Sequence, residues 1–409
     1  MANPQLGDMN SDEFRRYGKQ LIDWIADYLD QSDRYPVLSQ VLPGEVKAKL
    51  PQQAPAVPES MEAILRDFNR IIIPGITHWN NPSFFAYFGI TGSMPGVLGE
   101  MLSAALNVNG MLWRTSPSAT ELEDVVLNWL RQMVGLPESF FGVVHDTASI
   151  SSLIAVAAAR ERLDLKIREE GMAGRSDLPR LRMYTSEQSH SSIEKAGIIL
   201  GIGRSGVRKI EVDPDFRMRP DRLVAAIEED RAAGWLPFFA CATVGTTSTT
   251  SIDPVTEVAD ICAREKMWLH VDGAYGGTAA IVPELRYVLN GADRADSIVI
   301  NPHKWLFTQV DFSAFYTRHP DIVKRAFSIL PEYLRSNEGD AGAVKNLMDY
   351  GPALGRRFRA LKFWFIVRTF GVEGLIDRLR EHIRLAKLFA GWIDASADFE
   401  RVAPVPFST

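Results

Sequence analysis

The chain has 409 residues, 46% hydrophobic and 23% charged, which is the balance of an ordinary folded protein and not of a disordered or fibrous one. Lys plus Arg number 45 and Asp plus Glu 51, giving a net charge of −6 with no basic excess for nucleic acid or an anionic bilayer. No run of about 18 apolar residues is available for a membrane span, and the first residues lack a basic then apolar leader, so the expected location is the cytoplasm. Cys241 and Cys262 fit neither a disulfide framework nor a metal spacing and are read as small core residues.

In chain order, Phe14, Tyr17, Leu21, Ile25 and Tyr28 recur at spacings of three and four, which predicts an amphipathic helix capped near Asn10 or Ser11. Pro36, Pro43, Pro51, Pro55 and Pro58 then predict an extended stretch, before MEAILRDFNRIII resumes an apolar period. Residues 1–85 are read as a helical arm whose apolar stripe must be covered by the main body or by a second subunit. A capping box from Ser118 to Glu121 opens a helix with Leu122, Val125, Val126, Trp129, Leu130 and Met133 on one face, closed by Gly135 and Pro137. Short apolar runs follow near 140, 181, 237, 267 and 296, with helical stretches between them, one opened by a second capping box from Ser191 to Glu194. This alternation predicts an α/β domain over 86–355, a mostly parallel sheet flanked by helices. From Leu354 onward two further helical patterns lead into FERVAPVPFST, so 356–409 reads as the start of a small C-terminal domain.

Polar chemistry gathers where apolar runs end, which in parallel sheets is the ligand edge. Thr147-Ala148-Ser149 opens a helix and leaves backbone N–H groups available to an anion, although plain capping gives the same pattern. His190 precedes another helix, as a cap, a core residue or a ring lying on an aromatic cofactor. Asp272 ends MWLHVD before a glycine-rich turn; it serves either as a turn-former or as the carboxylate that keeps a pyridinium nitrogen protonated. Lys304 follows DSIVIN between His303 and Trp305, where partial desolvation favours the free amine needed for imine chemistry. Taken alone, such a lysine commonly makes an ion pair. The spacing of His145, His190 and His303 has no metal-binding pattern, so no metal is expected.

Asn301-Pro302-His303-Lys304-Trp305, preceded by His270-Val271-Asp272-Gly273-Ala274-Tyr275, resembles the cofactor signature of the pyridoxal 5′-phosphate-dependent group II decarboxylases, in their aromatic-L-amino-acid branch. Colinear likeness extends through Thr77-His78-Trp79, Phe84 to Phe88, Ser116-Pro117, Thr120 to Glu123, Ser189 to Ser192, Gly245-Thr246-Thr247 and Leu354 to Phe358. The resemblance implies fold type I, pyridoxal 5′-phosphate as cofactor, an aromatic L-amino acid (tryptophan, phenylalanine, tyrosine or a hydroxylated form) as small-molecule substrate, and a homodimer. Lys304 would anchor the cofactor and Asp272 would pair with its pyridine nitrogen. His190 and Ala274 would flank the ring, and Thr147, Ala148, Ser149, Asn301 and His303 would secure the phosphate, with Thr247 near by. Tyr333, in Pro331-Glu332-Tyr333-Leu334, matches the loop tyrosine that returns a proton to the α-carbon, and Gly339 to Gly342 suit a moving lid. Relatives that make aldehydes commonly carry phenylalanine at that tyrosine or asparagine at that histidine, so amine formation is favoured here. Trp79, Tyr87, Phe88 and Gly355 fall where relatives line an aromatic, ring-sized pocket.

Two departures stand out. Gly89-Ile90 replaces a Pro-Thr pair, and Arg114 replaces a small residue, which leaves an acidic substrate open. Relatives also continue for several dozen residues past the point matching Phe399 to Val402, building a small sheet. The C-terminal domain is therefore expected to be incomplete and its first strand to present an unpaired edge, with a non-catalytic paralogue as the competing reading.

Overall fold

The structure, a computed structural model, describes residues 8–87, 89–329 and 344–409. Backbone contacts divide the chain into two compact units, Met1–Gly89 and Ile90–Thr409.

In the first unit, the helix Ser11–Asp30 begins at Asn10, whose side chain accepts the N–H groups of Asp12 and Glu13. Only part of the predicted stripe is covered within the chain: Tyr17 is buried, whereas Phe14 and Leu21 are exposed. Trp24 stacks on Tyr28 at 5.3 Å between ring centroids and meets Phe68 edge-on at 5.2 Å. The stretch expected to be extended contains a short helix, Glu45–Lys49. Pro43 and Pro51 flank it, so no proline removes one of its hydrogen bonds. After Ser60 caps the helix Met61–Asp67, the chain winds on through a π turn at Phe68–Ile72 and a tighter turn at Ile73–Gly75.

The second unit is built on a seven-stranded sheet with β1 Phe141–His145, β2 Arg180–Ser186, β3 Val207–Ile210, β4 Trp235–Thr243, β5 Trp268–Asp272, β6 Ser297–Ile300 and β7 Ser313–Thr317, in the order β1-β7-β6-β5-β4-β2-β3. Strands β2 to β6 are mutually parallel, while β7 runs antiparallel to both β6 and β1. Because β7 opposes both neighbours, β1 points the same way as β6. The carboxyl ends of β1, β2, β5 and β6 therefore share one edge, and the polar clusters that follow them in the sequence converge there. The helix Ala148–Glu161 packs on the sheet through Ile154, Ala155 and Ala158 against Met183, Phe239, Trp268 and Phe315, all buried. Each large side chain of this kind stabilises the fold by about 1.5–3 kcal/mol.

Several local expectations are corrected. The helix Pro117–Val134 is capped by Ser116, whose hydroxyl accepts from Ala119 N–H, because Pro117 at the first position needs no donor partner. Ser118 is consequently inside the helix, and its buried face is turned to include Glu123 and Leu127 while Val125 is exposed. The Ser191–Glu194 capping box does not form; Glu194 instead pairs with Arg204 at 2.6 Å and Lys209 at 3.3 Å. The first C-terminal pattern begins at Ala360 and not Leu354, and the helical run to Asp394 is broken at Gly371, which adopts φ 67°. Residues 399–409 form no strand; Pro404 and Pro406 deny two ladder donors, and the segment instead buries Phe407 completely. Among the described residues, no helix is long and apolar enough to cross a membrane.

Candidate active site

Lys304 lies on the single-turn helix Pro302–Trp305 directly after β6. Burial lowers its ammonium pKa, and the nearby Asp272 carboxylate opposes that shift. Asp272 closes β5, nearly fully buried, with its main chain between Thr243 of β4 and Val299 of β6. One carboxylate oxygen accepts Ala274 N–H at 3.1 Å. His190 senses both groups: burial lowers its pKa, Asp272 raises it, and Lys304 and Lys195 lower it. The imidazole Nδ1 accepts Ser192 N–H at 3.2 Å. The ring thus performs the capping that Ser191 was expected to perform, and it does so as a neutral imidazole with its proton on Nε2. Ser189, one residue earlier, bonds Thr243 Oγ1 at 3.2 Å and so anchors this turn to the β4–β5 edge. The sheet therefore brings an amine, a carboxylate and an imidazole to one edge.

A second polar group lies on the same sheet edge, after β1 and β6. Thr147 is the N-cap of Ala148–Glu161 without a side-chain capping bond; its N–H and hydroxyl both donate to Asp146 Oδ1. Helix geometry gives the N–H groups of Ala148 and Ser149 no internal acceptor, so they are available to an anion at the positive end of the helix. Asn301 is buried and its orientation is fixed: Ser313 Oγ donates to Oδ1 at 2.6 Å, Ser151 Oγ meets Ser313 Oγ at 3.0 Å, and Nδ2 lies 3.4 Å from His303 Nε2. His303 Nδ1 sits between the C=O and N–H of Phe312, at 2.8 and 3.0 Å. Burial first, then Lys304, holds His303 down to a pKa of about 4, so it is neutral near pH 7. Ala274 is buried, and its carbonyl accepts Asn301 N–H at 3.0 Å, joining the β5 and β6 exits.

The remaining expected positions lie on other segments. Thr247 is exposed on the turn after β4. Gly355 is in a loop, with Asn109 Nδ2 the closest atom to the space a Cβ would take, at 4.0 Å. Arg114 is exposed. Trp79 and Tyr87 belong to the first unit, where they stack at 5.6 Å, and Tyr87 adopts φ 54°. Phe88, Tyr333 and the lid expected at Gly339 to Gly342 lie outside the described residues.

Other groups at this edge had no assigned role. Thr91 donates through both its N–H and hydroxyl to the Lys304 carbonyl, each at 3.3 Å, and its hydroxyl accepts Phe307 N–H at 2.9 Å. Trp305 stacks on Tyr275 at 5.1 Å and donates its indole N–H to His382 Nδ1 at 3.1 Å. Phe407 packs edge-on against both rings, and Ser408 and Thr409 bond the Tyr275 hydroxyl at 2.7 and 2.8 Å. Tyr275 and Trp305 lie within the signature segments themselves, but local sequence carries no signal that Phe407, more than a hundred positions away, packs on both.

The profile described as the pyridoxal-dependent decarboxylase conserved domain matches residues 43–407. The chain belongs to this family. It is 42% identical to a tyrosine decarboxylase of Papaver somniferum over 98% of its own length and 79% of the relative's. The crystal structure of Oryza sativa TDC with PLP and tryptamine superposes with a TM-score of 0.94 at 37% identity, covering 100% of this chain and 84% of that one. A Rhodiola rosea 4-hydroxyphenylacetaldehyde synthase structure is also similar, with a TM-score of 0.89 at 36% identity over 98% and 83% of the two chains. This pyridoxal-dependent decarboxylase thus has the fold type I architecture. Its donor set suits the cofactor: an amine desolvated beside a carboxylate, and helix-terminal N–H groups without internal partners.

Proposed function

We propose that this decarboxylase acts on aromatic L-amino acids, releasing the amine and carbon dioxide, as a cytoplasmic homodimer. The observation that carries the reading is the convergence on one sheet edge of Asp272 at the end of β5, Lys304 just after the adjacent parallel β6, and His190 after β2. Pyridoxal 5′-phosphate, when bound, supplies the electron sink for the pair left behind as the carboxylate departs. Lys304, its charge disfavoured by burial, would anchor the cofactor through its amine. Asp272 would supply the negative charge that keeps the pyridine nitrogen protonated. His190, with Nε2–H free of the capping bond, and the small Ala274 would bound the ring. Ala148, Ser149, Thr147, Asn301 and His303 would hold the phosphate, with Thr247 beside them. Tyr333 would return the proton to the α-carbon.

An aromatic substrate is supported by Trp79, Tyr87 and Phe88, by the lack of a side chain at Gly355, which would leave room for a ring, and by the substrates named for the relatives. The exposed Met94, Leu98, Met101, Leu102 and Leu106 on the helix Met94–Leu106 support a second copy. The similar aldehyde synthase gives the second reading, disfavoured because the sequence has tyrosine at 333 and histidine at 190. The test is incubation with a panel of aromatic and acidic amino acids, with products identified by mass. An aromatic amine with equimolar carbon dioxide is expected. Aldehyde with ammonia and peroxide would favour the synthase, products from acidic substrates alone would turn attention to Arg114, and no product would favour a non-catalytic paralogue.

A further inference from the structure

Glu123 and Arg356 form an ion pair of 2.6 Å with side chains only 5% and 7% exposed. Burying two charges is costly, and for stability alone two apolar side chains of similar volume would do as well or better. This pair does something apolar side chains do not. Glu123 Oε1 accepts Val144 N–H at 2.8 Å while Arg356 Nη2 donates to Val144 C=O at 2.9 Å. Among the described residues β1 is an edge strand paired only with β7, so main-chain groups facing away from β7 have no neighbouring strand there. The ion pair takes the place of that strand at one residue. Three positions later the chain reaches Thr147 and the first-turn N–H groups of Ala148 and Ser149.

Arg356 is held from the other side as well. Its N–H donates to Asn109 Oδ1 at 2.9 Å, and its carbonyl accepts Gly110 N–H at 2.9 Å. Gly355, proposed above to leave room for the substrate ring, is the preceding residue. One guanidinium therefore links the loop of the substrate side to the strand that delivers the anion-binding turn.

We propose that Glu123 and Arg356 are positioning residues that fix the Thr147–Ser149 turn for the cofactor's phosphate and hold it in register with the Gly355 loop. The proposal rests on the reading of Ala148 and Ser149 as phosphate donors. Its test compares binding of pyridoxal 5′-phosphate and of pyridoxal, which lacks the phosphate, to cofactor-stripped protein by absorbance and fluorescence. Wild type is expected to prefer the phosphorylated form; equal affinities would overturn the phosphate reading and the proposal with it. Arg356→Met, which strands the buried carboxylate, is expected to lower both the thermal midpoint and this preference. Glu123→Leu/Arg356→Met is expected to recover much of the midpoint while its preference stays at least tenfold below wild type. Recovery of both, or an unchanged preference in the folded double variant, would show a merely structural pair and overturn the proposal. Should the apolar pair not fold, Glu123→Gln/Arg356→Gln keeps a neutral polar pair whose side chain at 356 is too short for the Val144 carbonyl. At least a threefold fall in preference is expected there, and an unchanged preference overturns the proposal.

Discussion

Replacing Phe407 with alanine removes a ring with 0% exposure that closes the aromatic group of Tyr275 and Trp305. Truncation of a fully buried phenylalanine costs about 3–5 kcal/mol in transfer and cavity terms, and the two edge-on contacts, at 5.8 and 5.9 Å, place this site toward the upper part of that range. A loss of about 4 kcal/mol lowers the folding equilibrium constant roughly a thousandfold. If the segment 399–409 undocks locally before the sheet opens, the loss is capped at the free energy of that docking. The two cases separate by measurement. Urea unfolding followed by tryptophan fluorescence reads global stability, and near-ultraviolet circular dichroism reads the Trp305 environment. Phe407→Ala is expected to move the urea midpoint down and flatten the aromatic signal, while Phe407→Leu retains more than half of the stability. A change below about 1 kcal/mol with an unaltered aromatic signal would refute the packing argument.

Other outcomes follow from the same geometry. His270 and His303 titrate near pH 4 in the folded chain because burial disfavours their charge, against 6.5 when unfolded. Between those values the unfolded state holds the extra protons, so stability falls as pH falls, by roughly 3 kcal/mol per pH unit for the pair, and levels off below about pH 4; unfolding curves that coincide at pH 6.5 and 5 would contradict this. Gly276→Ala would set a Cβ 2.7 Å from both a Phe407 ring carbon and the Val244 carbonyl. About 1–3 kcal/mol of overpacking strain is expected, read as a lower thermal midpoint. Tyr333→Phe is expected to divert product from amine toward aldehyde, and unchanged amine output would remove Tyr333 from the proposed proton transfer.

The parts of the fold legible in the sequence are those written in local periodicity. The apolar runs ending at His145, Ser186, Thr243, Asp272 and Ile300 became strands, and the polar residues after four of them share one edge. β3 is hard to read from sequence because Val207-Arg208-Lys209-Ile210 is only four residues long with two cations inside, and β7 because Ser313–Thr317 is a short run of five with hydroxyl side chains at both ends. Capping was misassigned where a side chain outside the motif competed better: Ser116 ahead of Pro117, and the His190 ring in place of Ser191. Lys304, Asp272 and His190 were legible by their place after strands and by family likeness. The supports beneath them were not. Glu123 and Arg356 are 233 positions apart and Thr91 and Lys304 213, and such pairings exist only once the sheet and its helices have packed.

In the proposed function the amine of Lys304 carries pyridoxal 5′-phosphate. Borohydride reduction of the purified holoprotein, followed by proteolysis and peptide mass analysis, tests it most directly. Bleaching of the visible absorbance and one phosphopyridoxyl group on the peptide containing Lys304 are expected, with no modified peptide from Lys304→Ala. A stable adduct on another lysine, or a reduced wild-type protein with none, would contradict it.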